Sequence, residues 1–273
     1  MAVQERYDTR PFGPDITAGM GVQLLVLEVL CRVSGLGTIG WLTGCVFAVT
    51  TWAVLTVALR RTWTTSFGPA NRVTLARTIL VGGVTALVAD SFGRPVPVPV
   101  LIAFAGVALV LDAVDGQVAR RTRTATALGA RFDMEVDAFL ILVLCVHVAV
   151  PLGAWVLSIG LMRYAFVAAS WVLPWLRGDL PHSMARKTVA ALQGVVLVVA
   201  GAGILPQASA VTAVAVALGL LVWSFGRDVA WLWRAGKGAD GTPAPVAPDR
   251  APVVPERAPV GLAVTSRRAG PDR

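Results

Sequence analysis

Residues 112–137 read DAVDGQVARRTRTATALGARFDMEVD, and this stretch decides how the rest of the chain is read. Four aspartate carboxylates, Asp112, Asp115, Asp133 and Asp137, stand at fixed spacings beside two glycines, an alanine and several arginines. The flanks are strongly apolar, LIAFAGVALVL from Leu101 and AFLILVLCVHVAV from Ala138. Ionisable groups at membrane depth cost at least a few kcal/mol each, so four acids demand compensating cations. Asp112 and Asp115 are three apart and Asp133 and Asp137 four apart, so each pair projects from one face of its own helix. The basic connection from Arg121 to Leu128 is short, which makes the two helices antiparallel neighbours and brings the carboxylate pairs together. Oxygen-only ligands favour hard divalent cations such as Mg²⁺, Mn²⁺ or Ca²⁺, and two ions fit the number of acids.

Working outward, the composition agrees with a membrane setting. Of 273 residues, 56% are hydrophobic and 15% charged, less charge than a soluble domain of this size carries. A helix needs about 20 mostly apolar residues to cross a hydrocarbon core of roughly 30 Å. Segments of that kind fall at 19–34, 37–59, 71–91, 97–120, 131–151, 153–176, 186–204 and 208–233. The expected fold is therefore all-α, a polytopic membrane bundle of eight helices, because backbone facing lipid must satisfy its own hydrogen bonds. The first helix is the exception to watch: Glu28 and Arg32 are one turn apart and suit an ion pair on a helix lying in the interface. Were it interfacial, seven spans would remain.

Basic residues sort between alternate connections. Arg60, Arg61 and Arg72 fall on one side, as do Arg120, Arg121, Arg123 and Arg131, then Arg177, Arg186 and Lys187, then Arg234 and Lys237. The opposite connections hold only Arg94, beside Asp90, and the turns near Pro151 and Leu205 hold no base. The positive-inside rule makes the basic loops cytoplasmic, and the aspartates share that face. The net charge of +8 is then explained by topology and attraction to anionic lipid, and calls for no nucleic acid.

The first seventeen residues mix acids and bases, which does not fit a signal peptide. Cys31, Cys45 and Cys145 are scattered among apolar helices and read as packing residues, neither a disulfide framework nor a zinc site. From residue 238 the chain turns to Pro, Ala, Val and charge without periodicity, the composition of a disordered cytoplasmic tail.

Small residues add a second layer to the acidic stretch. Gly116 and Ala119 follow Asp115, and Gly129 precedes Asp133 by one helical turn; such residues let a helix or a bulky ligand approach the backbone. Together Asp112, Asp115, Gly116, Ala119, Arg120, Gly129, Asp133 and Asp137 fit D-x2-D-G-x2-A-R-x8-G-x3-D-x3-D at every fixed position. In this the chain resembles the CDP-alcohol phosphotransferases. Asn71, Val73, Thr74 and Arg77 also resemble the N-x-x-T-x-x-R start of the preceding family helix.

The resemblance covers roughly 69–235, a six-helix core, and leaves 1–18 as a cytoplasmic segment, 19–60 as an extra N-terminal helical pair and 238–273 as the tail. It implies that Asp112, Asp115 and Asp133 ligate a pair of Mg²⁺ or Mn²⁺ ions, with Asp137 completing the set and acting as general base. It implies further that Gly116, Ala119, Arg120 and Gly129 line a cytidine nucleotide site, with Asn71, Thr74 and Arg77 near the diphosphate. The implied reaction is attack of an alcohol hydroxyl on the lipid-side phosphate of a donor such as CDP-diacylglycerol, releasing CMP. Two metals suit that chemistry, because they can clamp the attacking and leaving oxygens together. Homodimers are frequent in the family.

Weaker signals lie outside the motif. Arg186 and Lys187 stand at the mouth of the seventh helix, where they suit either an acceptor phosphate or an ordinary positive flank. Arg163, beside Tyr164, and Arg227, beside Asp228, lie within apolar helices where a charge should face the interior or a partner. All four are candidate acceptor residues. Lys187, Thr188 and Gln193 depart by two residues from the K-T-x-x-Q spacing of the phosphatidylglycerophosphate synthases, so they do not specify a glycerol phosphate acceptor. His147 reads as a satisfied buried imidazole. Trp155, Trp171, Trp175, Trp231 and Trp233 read as an interfacial belt.

Two other function classes use comparable residues in a different arrangement. Aromatic prenyltransferases also hold a diphosphate through metal and aspartates, but on two widely separated helices, whereas this chain concentrates its acids in one hairpin. A cation transporter would place its acids at the bilayer midplane, whereas these lie at a helix end among arginines.

Overall fold

The computed structural model describes residues 14–62, 69–122, 127–178 and 184–239. The tail expected from residue 238 onward thus falls, from 240, outside the described residues, as does most of the N-terminal segment. For Asn71, Asp115, Gly116, Ala119 and Arg120 the backbone alone is described.

Eight α-helices follow one another among the described residues: α1 (Pro14–Ser34), α2 (Thr38–Thr62), α3 (Pro69–Asp90), α4 (Val98–Thr122), α5 (Ala127–Leu152), α6 (Leu157–Val172), α7 (Met184–Gly201) and α8 (Gln207–Ala239). Punctuation in the sequence sets their ends. Pro14 and Pro69 open α1 and α3 at a position where the missing N–H is no loss and the fixed φ suits the helix. Gly35 and Gly203, at φ 63° and 66°, follow α1 and α7 in the left-handed conformation that a side chain would disfavour.

One expected helix is interrupted. The segment anticipated as a single span over 153–176 is a short 3-10 turn at Ala154–Val156, then α6, then a second 3-10 turn at Pro174–Arg177. Pro174 is the reason: its ring crowds the preceding residue out of the helical region, and Leu173 is extended at φ −113°, ψ 91°.

Among the described residues five helices are long and apolar enough to cross a membrane, with spans at Thr38–Val57, Val73–Asp90, Gly129–Leu152, Ala154–Val172 and Gln207–Ala235. The apolar part of α4 is shorter, Val98–Val114, where the acids begin. α1 and α7 carry the charged pairs Glu28/Arg32 and Arg186/Lys187 and are not among the five. The expected couple on α1 forms, with Arg32 Nε donating to Glu28 Oε1 at 2.7 Å on an exposed face.

The hub is α3. Of its span 72% is buried, whereas no other span exceeds 39%, and it packs against α1, α2, α4 and α5. Val81, Val84, Ala86 and Leu87 of α3 meet Leu27 of α1, Leu101 and Ala105 of α4, and Leu140 and Leu144 of α5 in one continuous core that extends to Leu197 of α7 and Val214 of α8. Close approach is built in at Gly160 of α6, where a Cβ would stand 2.7 Å from the Cα of Leu142 on α5.

The start of α2 is tied to the hub by a buried acid. Asp90, the last residue of α3 and 4% exposed, accepts hydrogen bonds from the backbone N–H of Gly37 at 2.9 Å and of Gly40 at 3.4 Å. A carboxylate there satisfies orphan donors of the first turn of α2 and meets the positive end of its dipole. In the same turn Arg94 reaches the carbonyl of Gly35 at 3.4 Å.

Candidate functional site

The acid-bearing helices α4 and α5 are consecutive, and α3 packs against both. From α3, Arg77 extends between them with its side chain only 1% exposed. Its Nη1 donates to Asp112 Oδ1 on α4 and its Nη2 to Asp133 Oδ1 on α5. Nη2 also donates to the backbone carbonyl of Asp133 at 2.9 Å. The rigid guanidinium fork suits this, since it can face two carboxylates in one plane. A buried cation is tolerated at this depth because opposite charges receive it. One of its atoms is left over: Nε is buried without a hydrogen-bond partner.

Asp112 and Asp133 are brought together around one positive group, but through α3: among the described residues α4 and α5 do not pack extensively on each other, as the expected antiparallel hairpin would, because α3 stands against both. Their side chains remain 40% and 34% exposed. Asp137 follows one turn after Asp133, half-buried, with Asp112, Arg77 and Arg163 as its charged neighbours. Thr74 is buried one turn before Arg77 on α3, and its carbonyl accepts a 2.7 Å bond from Thr78 Oγ1. Gly129, half-buried, lies in the first turn of α5. The backbone places Asp115, Gly116, Ala119 and Arg120 on the final turns of α4 and Asn71 in the first turn of α3.

The carboxylate donors suit a hard divalent cation, and the Arg77 guanidinium marks the point where oxygens from two helices meet around shared positive charge. Among the described residues no group of three or more His, Cys, Asp or Glu side chains gathers closely enough to hold a metal. Asp112 and Asp133 already converge, and the side chain of Asp115 is not described, so the donor set fits in chemistry.

The four candidate acceptor residues separate into two places. Arg163 on α6 pairs through Nη2 with Glu135 on α5, and its Nε is buried without a hydrogen-bond partner. Arg186 on α7 and Arg227 on α8 both meet Asp228, at 3.5 Å and 3.7 Å. Arg227 also lies over the Trp223 ring, 5.2 Å from its centroid, a cation–π contact. Lys187 is exposed.

Sequence reasoning missed Glu135. It stands inside the quoted stretch, between Asp133 and Asp137, and a carboxylate within an apolar helix is itself a signal that a partner faces it. The reading of His147 agrees with its environment, since Nε2 lies 3.1 Å from the carbonyl of Gly201.

Eight helices, five of them apolar enough to span a bilayer, define a membrane-embedded helical protein. Residues 67–223, more than half of the chain, match the CDP-alcohol phosphatidyltransferase family, and the chain belongs to it. The family consists of transferases that take CDP-alcohol donors and alcohol acceptors and use divalent metal ions. The match begins just before α3 and ends within α8, so α1 and α2 lie outside it. No curated protein and no solved structure gives a match.

Proposed function

We propose that this protein moves a phosphatidyl-type group from a CDP-linked lipid such as CDP-diacylglycerol to an alcohol, releasing CMP, as a step in phospholipid synthesis at the cytoplasmic face of the cell membrane. The observation that carries the reading is the convergence of Asp112 and Asp133 on Arg77, within the segment that matches the family. The six helices α3–α8 would form the catalytic unit, with α1 and α2 added to it and the residues after 238 as a cytoplasmic tail; a homodimer is the assembly we favour.

Asp112, Asp115, Asp133 and Asp137 would hold two Mg²⁺ or Mn²⁺ ions, which supply electrostatic stabilisation to the diphosphate as its charge develops. Gly116, Ala119 and Gly129 leave room for the cytidine nucleotide against the backbone, and Arg120, Asn71 and Thr74 stand at its phosphate side. Arg77 lies behind the carboxylates and fixes their orientation from the interior. The acceptor oxygen forms a bond to the lipid-side phosphorus while the bond from that phosphorus to the bridging oxygen breaks. CMP leaves with the electron pair, and the hydroxyl proton passes to Asp137, the general base. Arg186, Lys187 and Arg227 are the residues we favour for an anionic acceptor, with Arg163 as a further candidate.

The test is CMP release by the purified protein given CDP-diacylglycerol, Mg²⁺ or Mn²⁺, and candidate alcohols offered singly. Asp112→Asn, Asp115→Asn and Asp133→Asn should abolish release while the bundle stays folded. Near-normal turnover in any of them would refute its role as a ligand.

A further inference from the structure

A groove of about 610 Å³ lies apart from the aspartate pair, within the size range of sites that bury a small molecule. Its walls are Val46, Phe47 and Val54 of α2 and Phe132 and Phe139 of α5, with Tyr164 of α6 at one edge. Phe47 and Phe139 stack at 5.5 Å and hold the two main walls together. At 3.6 residues per turn, Phe132, Glu135, Val136 and Phe139 form one stripe of α5 and Asp133 and Asp137 another. The helix itself therefore stands between this groove and the carboxylates that meet Arg77.

The long dimension and the charge at the mouth point to one kind of occupant. On α2 the lining runs from Thr43 to Leu55, about 18 Å at 1.5 Å per residue, a little more than half of a hydrocarbon core of roughly 30 Å. That is the depth one lipid leaflet fills. Arg131, exposed at the start of α5, lines the mouth and makes no hydrogen bond or ion pair among the described residues. Glu135, the acid one turn below it, is engaged by Arg163, so the free charge at the rim is positive.

We propose that the groove is a binding site for an anionic phospholipid of the cytoplasmic leaflet, with one acyl chain between α2 and α5 and the phosphate beside Arg131. This lipid is a resident of the bundle and does not react, because α5 separates it from Asp133 and Asp137. Half of the site is supplied by α2, outside the family match, so it belongs to the added pair and not to the shared core.

The experiment uses the full chain in mild detergent, titrated with phosphatidylglycerol bearing palmitoyl and oleoyl chains and read by native mass spectrometry. Wild type and Asp112→Asn should both retain one lipid. Thr50→Trp, which fills the groove, should remove the adduct. Arg131→Gln should weaken binding about fivefold, the worth of one guanidinium beside an anionic lipid surface, and phosphatidylcholine with the same chains should bind more weakly than phosphatidylglycerol. Arg131 is exposed, so its variant carries the test even where the tryptophan variant fails to fold. Equal binding by wild type and Arg131→Gln overturns the proposal. So does loss of the adduct in Asp112→Asn, which would move the lipid to the carboxylate centre, or a lipid-free dimer that Thr50→Trp dissociates.

Discussion

Replacing Arg77 with Met tests the electrostatic core of the site. The substitution keeps an unbranched side chain of similar length and removes the positive charge that Asp112 and Asp133 share. Breaking a buried ion pair from one side costs about 3–5 kcal/mol. The two carboxylates are 40% and 34% exposed, and water softens their repulsion, so the lower end, about 3 kcal/mol, is expected. At about 2–4 °C per kcal/mol for a chain of this size, the melting midpoint should fall by roughly 6–12 °C. The assay is thermal unfolding of the detergent-solubilised protein in the presence of a chelator, followed by tryptophan fluorescence. Added Mg²⁺ should restore part of the loss in the variant, because an ion that binds only the folded state stabilises it by mass action. The double variant Arg77→Met, Asp112→Asn should melt higher than Arg77→Met alone, since it removes the charge left exposed by the first change. A midpoint for Arg77→Met within about 2 °C of wild type would show that the guanidinium does not neutralise the pair, and the reasoning would fail.

Other perturbations probe separate parts of the bundle. Asp90→Ala should lower stability by about 1–2 kcal/mol through loss of the cap on α2, with cleavage by added protease appearing in the turn at 35–37; an unchanged melting curve would argue against the cap. Gly160→Ala should destabilise by about 1–3 kcal/mol, because its Cβ meets the backbone of Leu142 and not a side chain that can swing away, and a neutral melting shift would show that α6 can shift off α5. Arg186→Ala should raise the KM for an anionic acceptor while leaving the donor KM little changed; parallel changes in both would remove Arg186 from acceptor binding.

Much of the architecture was legible because hydropathy and punctuation are local. Pro14, Pro69, Gly35 and Gly203 mark helix ends that the structure keeps, and the D-x2-D and D-x3-D spacings state which faces the acids share. The break at Leu173 was legible too, in Pro174, which the expected span over 153–176 ran across. What sequence does not state is which helices meet. Asp90 stands four residues from Arg94, and that proximity invites a local pairing, yet its oxygens go to Gly37 and Gly40, some fifty residues earlier. Arg77 looked like a phosphate ligand by its place in a motif. The packing of α3 against α4 and α5 turned it inward, onto the acids themselves. Glu135 was overlooked because the four aspartates of the same stretch carry the spacing, and its partner Arg163 comes from a different helix.

The placement of charge on α3 has a consequence for biogenesis. During synthesis this helix reaches the translocon after α2 but before α4 and α5 exist. Asp90 can find the amides of α2 at once, whereas Arg77 has no carboxylate to meet and carries an insertion penalty of about 2.5–3.5 kcal/mol if it lies near mid-bilayer. The most deeply buried helix of the bundle thus enters the lipid with a cation still unpaired, and the final seating of Arg77 must wait for α4 and α5 to follow.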